Sequence, residues 1–450
     1  MNLKFHFFTV ILLFAGISLL SAQDQKEWSL DNCINYALEH NLNIQKQDLT
    51  VSILKNNFDI ARFDRLPSVS ANLSGGTTFG KTFSQDAGEF IDEQITYLNG
   101  DVSTNVALFD GFRAKSTIKQ RNQETQAATY DRDAYANDIA LQIVNYYLQI
   151  LYNREQYNSA LSQLEITKEQ IERSKELVEA GAVPKGDVLE LKAQAASEKS
   201  QLVSYANLEK EARVNLKQAM NIQLDTLIIT KPENINADGL YATLKPINQI
   251  YQTAIGHLPE VKAAKASIMA NKEAIDIAKA DYYPSLYLGA SVSSRYNDAA
   301  VDFSDLGNKY TFGEQVQDYL SANVGLTLSI PIFNKFRTKY NVDNAKINLE
   351  IAKRDESLTL QNIYQEIERA MNDSRAAYEN FRAAKESLFA NKESFKYAEQ
   401  RFNSGLINSV DYNLAKTNLA KAQVDLLNAR YELIFKVKIL DFYMGKELKL

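Results

Sequence analysis

The stretch IAKADYYPSLYLGASVSS, residues 277–294, changes its period at Pro284. Before the proline, apolar residues recur at helical spacing. After it, Leu286, Leu288, Ala290 and Val292 alternate with Ser285, Tyr287, Gly289, Ser291 and Ser293. Proline has no amide hydrogen and pushes the residue before it towards extended backbone, so Pro284 reads as a helix-to-strand switch. The same switch stands 217 residues earlier in IARFDRLPSVSANLSGG, residues 60–76. There Pro67 precedes Val69, Ala71 and Leu73 on one face and Ser68, Ser70 and Asn72 on the other. Two further stretches alternate, DVSTNVALF (101–109) and SANVGLTLSIPIF (321–333). These four predicted strands of about 9–10 residues, apolar on one face and small-polar on the other, have the pattern of transmembrane β-strands. The opposing expectation is a soluble sheet with one face on a core. A solvated face usually carries Lys and Glu, whereas these polar faces hold Ser, Asn, Thr and Gly. The segments 75–100 and 294–319 read as polar connections. Their Phe79, Phe83, Phe90, Tyr97, Tyr296, Phe303, Tyr310 and Tyr319 are candidates for an interfacial aromatic girdle.

The chain is a duplicated unit. ALEHNLNI (37–44) matches AIGHLPEV (254–261) at the offset of 217, and LFDGFR (108–113) matches IFNKFR (332–337) at 224. Gly181 and Gly405, Asp187 and Asp411, and Met220 and Met444 keep the 224. The second half therefore carries seven extra residues between its proline and its Phe-Arg pair, which places a surface loop there. The units are 23–240, with a hairpin at 67–109, and 241–450, with a hairpin at 284–333.

Each half opens with a predicted helix, Ser29 to Arg65 and Pro246 to Asp281, the second broken at Pro259. After the strands, Phe112–Ala180 and Asn334–Ser404 contain neither Gly nor Pro. Either run would extend about 100 Å as one helix. Both share a heptad frame: Ile363, Ile367, Ala370, Ser374, Ala377 and Phe381 in the second half correspond to Ile139, Ile143, Tyr146, Ile150, Asn153 and Tyr157 in the first. Alternating three- and four-residue steps make the seam of an antiparallel coiled coil. Gly181 and Gly405 read as helix stops, and Asp187 and Asp411 as the N-caps of return helices reaching Met220 and Met444.

Composition narrows the function. A net charge of −6 argues against a nucleic-acid partner. Residues 1–22, with one lysine ahead of an apolar run and Ser21-Ala22 before Gln23, read as a secretory signal. The one cysteine, Cys33, reads as a small buried hydrophobe. His40 and His257 occupy equivalent helix ends. No phosphate loop, metal-spaced cluster or Ser/His/Asp signature is present, so neither enzyme chemistry nor a cofactor or metal is expected. Four strands cannot close a barrel in lipid, where open edges are not tolerated and the smallest barrels have eight strands. Two copies would supply eight strands and three would supply twelve, of which only the larger leaves an appreciable lumen.

Taken together, WSLDNCINYALEHNLNI (28–44), the two Pro switches, the LFDGFR and IFNKFR pair, EAGAVPKGDVLELKAQ (179–194) and RFNSGLINSVDYNLAKTNLAKAQ (401–423) resemble the TolC-like outer-membrane efflux family. The resemblance implies a fold that is mainly α with a transmembrane β-barrel. A homotrimer would close twelve strands in the outer membrane and continue them as a periplasmic helical tunnel. It implies docking of a periplasmic adaptor, and through it an inner-membrane pump, at Gly181, Ala182, Val183 and Asp187 and at Gly405, Leu406, Ile407 and Asp411, with an aperture at Asp187 and Asp411. The chain departs from the family's tyrosine–arginine–aspartate links, with Phe402, Ile407 and Leu414 where those types occur. The rival expectation is an exported structural coiled-coil protein without transport activity.

Overall fold

The structure is a computed structural model that describes residues 27–84, 89–92, 94–223, 227–231, 237–301 and 310–448. The expected signal and Phe303 lie outside the described residues.

The chain is mainly helical, with one four-stranded sheet at one end. Helices α1 (Leu30–His40) and α2 (Leu42–Phe63) lead into strand β1 (Ser68–Thr78). A small hairpin follows, β2 (Lys81–Ser84) with β3 (Glu89–Asp92), and β4 (Ile95–Phe109) returns. Helix α3 (Arg113–Glu179) then runs outward and α4 (Lys185–Met220) runs back. The second half repeats the order. Short helix α5 (Ala237–Ala242) precedes α6 (Ile247–His257), α7 (Pro259–Lys279), β5 (Ser285–Asn297), α8 (Phe312–Asp318) and β6 (Ser321–Ser329). The long pair α9 (Arg337–Asn403) and α10 (Ser409–Tyr443) closes the chain. At 67 residues each, α3 and α9 extend about 100 Å.

Several expectations need correction. The single helix expected over Ser29–Arg65 breaks at Asn41, the counterpart of Leu258. Asn41 has extended backbone, and its side-chain oxygen accepts from the amides of Asn43 and Ile44 (2.9 and 3.2 Å), capping α2. The polar segments 75–100 and 294–319 are not plain connections. β1 and β4 pair out to Thr78–Ile95, β5 continues to Asn297, and α8 forms in the second segment.

The long helices bury a narrow seam. Ile139, Ile143, Ile150 and Asn153 on α3 and Ile363, Ile367, Ala370, Ser374, Ala377 and Phe381 on α9 are buried, as heptad spacing requires, but Tyr146 and Tyr157 of the expected α3 seam are half-buried, and their neighbours Tyr147 and Gln156 are buried instead. The thickest core lies at the waist. There α1, α3 and α4 pack Cys33, Ala37, Val144, Leu151 and Leu216 with Leu227 and Ile229. Backbone bonds join Trp28 to Ile228 (2.8 Å) and Thr230 to Trp28 (3.0 Å). The Tyr147 hydroxyl lies 2.6 Å from the Thr230 carbonyl. Cys33 is buried, and burial pushes its thiol up to about 12, which makes it inert. A second core joins Ile250 and Val261 to Ile367 and Leu440.

Candidate functional site

The sheet order is β1-β4-β5-β6, entirely antiparallel. Register brings the alternating faces together. Ala71 pairs with Val102, Val102 with Val292, and Val292 with Ala322. Val69, Thr104, Ala290 and Val324 form the next row on that face. This face covers no core: Val69, Leu73, Val324 and Leu326 are 73%, 75%, 74% and 65% exposed. A contiguous exposed apolar face of this kind belongs against lipid or a partner, which excludes the soluble-sheet expectation. The opposite face is a ladder of small polar groups. Ser70 bonds Ser103 (3.2 Å), Asn72 donates to Asp101 (3.3 Å), and Ser293 bonds Ser321 (3.1 Å).

β1 and β6 are the two edges of this sheet. At the outer end, where β6 falls short of β5, α8 covers β5 instead. The Gln315 side-chain amide accepts from the Asn297 amide and donates to its carbonyl, both at 2.8 Å, as a paired strand would. Tyr296 meets Phe312 edge-on, and Arg295 lies 4.7 Å over the Tyr319 ring.

At the inner end the prolines sit at the switches. β1 begins one residue after Pro67, and β5 one residue after Pro284. Leaving the sheet, the chain turns through two consecutive left-handed residues, Gly111-Phe112 (φ 68° and 68°) in one half and Lys335-Phe336 (φ 57° and 59°) in the other. Asp110 accepts from the Ala114 amide (2.7 Å), and Arg113 is ion-paired with Asp281 across the junction.

At the far end each long pair turns in the same way. Gly181 (φ 72°) and Gly405 (φ 69°) end α3 and α9 in the left-handed region. The Gly181 and Ala182 amides donate to Val178 and Leu177, and those of Gly405 and Leu406 to Phe402 and Arg401 (3.0 and 2.8 Å in each pair). This is the Schellman arrangement that satisfies a helix's last carbonyls. The expected aspartate caps are not caps. Pro184 occupies the N-cap position of α4 without a side-chain bond, and Asn408 caps α10 by accepting from the Asp411 amide at 2.9 Å. Asp187 and Asp411 both stand at the third helical position, where their charge faces the positive end of the helix dipole. Ala182, Leu406 and Val410 are exposed at these turns, while Val183 and Ile407 are half-buried.

Above the tips lies a buried polar knot invisible in the sequence. Lys416 of α10 is 2% exposed. Its ammonium lies 3.2 Å from Glu198 Oε1 on α4, donates to the Gln163 carbonyl on α3 (3.1 Å) and to the Thr167 hydroxyl, and Thr167 in turn bonds Glu198. Burial pulls the lysine down from its ordinary value, and Glu198 opposes that shift. Tyr412, fully buried beside it, stacks on Phe402 at 4.6 Å. Nearer the tip, Ser409 donates to Glu190 (2.7 Å). Three helices from both halves are thus tied together. No helix among the described residues is long and apolar enough to cross a membrane.

An apolar strand face with a polar obverse, carried on 100 Å helices, defines a membrane channel protein whose wall passes from sheet to helix. The family model for outer membrane efflux proteins matches residues 33–221 and 250–446, and the chain belongs to that family. Its place is the cell outer membrane, with a long periplasmic extension. The probable efflux pump outer membrane protein TtgC of Pseudomonas putida is 22% identical over 407 residues, 89% of this chain and 80% of that protein. Among solved structures, the transmembrane channel CusC superposes with a TM-score of 0.76 at 18% identity, covering 94% of this chain and 93% of that one. The outer membrane protein VceC of Vibrio cholerae gives 0.73 at 17% identity, over 93% and 96%. The chain serves as an efflux exit duct, and a structural coiled-coil protein without transport is not the reading the family supports.

Proposed function

We propose that three copies of this chain close a twelve-stranded barrel and act as the outer-membrane duct of a tripartite efflux or type I secretion system. The single observation that carries this is the four-stranded sheet with an exposed apolar face and two edges, β1 and β6. In lipid each edge amide without a partner costs several kcal/mol, so β1 of one copy pairs with β6 of the next. The two repeats, 23–240 and 241–450, each give two strands and one helical tip. Six tips face the inner membrane, and Gly181, Ala182, Val183, Asp187, Gly405, Leu406, Ile407 and Asp411 receive the periplasmic adaptor that links the duct to its pump. Asp187 and Asp411 line the aperture between them.

The test is cysteine cross-linking in outer-membrane fractions, with Cys33 replaced by Ala. Cysteines scanned along β1 around Asn72 and along β6 around Asn323 should yield heat-modifiable trimers. Monomers at every pairing would overturn the closed barrel. For the tips, Gly405→Val is the probe. A Cβ there meets nothing within 4 Å, but φ of 69° is strained for valine. Trimers should persist while adaptor co-purification and efflux fall. Unchanged efflux would show that the docking surface lies elsewhere.

A further inference from the structure

Two residues of the four-stranded sheet are charged, Asp101 on β4 and Arg295 on β5. Asp101 stands on the polar face, in the row Asn72–Asp101–Ser293–Ser321. β6 begins at Ser321, so this is the outermost row that all four strands complete. From Phe109, where β4 meets the helical wall, to Asp101 is eight residues, about 26 Å of strand, which at the tilt of barrel strands covers about 20 Å of height, most of an apolar barrel band. The carboxylate accepts from the Asn72 amide at 3.3 Å and has no ion-pair partner among the described residues. Arg295 lies one alternation further out, opposite Asn99, with its guanidinium drawn over Tyr319. Below Asp101 the polar face offers Ser70, Ser103, Ser291, Asn105, Gly289 and Thr327, all neutral.

The register points to Asp101 as the residue that sets the charge preference of the barrel. The inference rests on the three-copy reading, in which three Asp101 carboxylates share one ring at the outer rim of an otherwise neutral, low-dielectric-walled lumen. Such a ring concentrates cations and repels anions, because the wall between it and the helices carries no charge to oppose it. Arg295, displaced outward, weakens that field without cancelling it. Cationic solutes therefore pass the barrel more readily than anions of equal size.

Full-length protein in planar bilayers tests this. Under a tenfold KCl gradient the wild-type reversal potential should have the sign of cation permeation. Asp101→Asn, which preserves shape and the bond to Asn72, should move it towards zero. Asp101→Glu should restore it, and Arg295→Gln should move it further to the cation side. Spermine is added to the chamber opposite protein addition, which the barrel faces because the polar helices stay behind. Its half-blocking concentration should rise about tenfold in Asp101→Asn. An unaltered reversal potential and spermine block in Asp101→Asn overturn the proposal. Wild-type protein that runs as a monomer and opens no channel overturns the three-copy reading, and the proposal with it.

Discussion

Gly111 and Lys335 occupy equivalent left-handed positions, yet one is glycine and the other is not. The difference lies in what a side chain would meet. A Cβ on Gly111 would stand 2.6 Å from the Ala280 carbonyl oxygen and 3.0 Å from Tyr283 Cβ. Lys335, which follows the edge strand β6 in the chain, is exposed. Gly111→Ala should therefore destabilise the chain by about 1–3 kcal/mol, from backbone strain plus a shift of the junction. Lys335→Ala should change stability by less than about 0.5 kcal/mol. Chemical denaturation of detergent-solubilised protein would compare the two, and equal losses would contradict the packing argument. The sequence shows that a glycine and a lysine align here. It does not show which neighbour forbids a side chain, because Ala280 arrives from the other half of the chain.

Among the elements, the knot around Lys416 joins α10 to α3 and α4. Removing one partner of a buried pair leaves an uncompensated charge and typically costs about 3–5 kcal/mol, whereas replacing both by apolar residues is often neutral. Lys416→Ala and Glu198→Ala should each lower the melting temperature and loosen the tip. The double change Lys416→Met with Glu198→Leu should recover most of the loss, and a merely additive double variant would refute the coupling. A pH effect belongs to the waist, where α3, α7 and α9 meet. Burial raises the carboxyls of Glu260, Asp138 and Asp131, with Asp138 and Glu366 adding to the shift at Glu260 and Glu366 adding to that at Asp138. A raised folded-state value means that the folded chain binds protons before the unfolded chain does. The penalty is full above the folded value, shrinks as pH falls through it, and is gone below the ordinary carboxylate range. Stability from this cluster should rise as pH is lowered through the raised folded values towards the ordinary carboxylate range, and Glu260→Gln should flatten that rise in a thermal-melt series. The heptad seam was legible in sequence because a three-and-four spacing of Ile, Ala and Phe states which side is inside. Lys416 was not, since a lone lysine on a helix reads as solvated and its partners lie 218 and 249 residues away. The break at Asn41 carries no proline, and only its alignment with the Pro259 break in the other half hinted at it. α8 is too short to show a helical period.

For the whole molecule, the two faces of the sheet assign the environment. Leu326 lies on the apolar face and Thr327 on the polar one, a single residue apart. An arginine on a lipid face near mid-membrane costs about 2–4 kcal/mol, and one on a wet lumen costs far less. Leu326→Arg should block outer-membrane assembly while Thr327→Arg should assemble and alter only conduction. Fractionation followed by gel mobility would separate them, and the reverse pattern would invert the barrel. The alternation that made this legible survives because register is fixed wherever one face is buried in lipid. The strand ends are not legible in the sequence, since outside the apolar band polar residues pair as readily as they loop.

The two long helices are equal in length, 67 residues each, although the second half carries seven extra residues in its outer loop. The insertion is therefore taken up at the membrane end and none of it reaches the turns. Gly181 and Gly405 finish level, as two legs of a stool do. Anything pressing along the axis meets a flat seat and divides its load equally between the legs. A heptad deleted from α3 and α4 alone would make the stool rock.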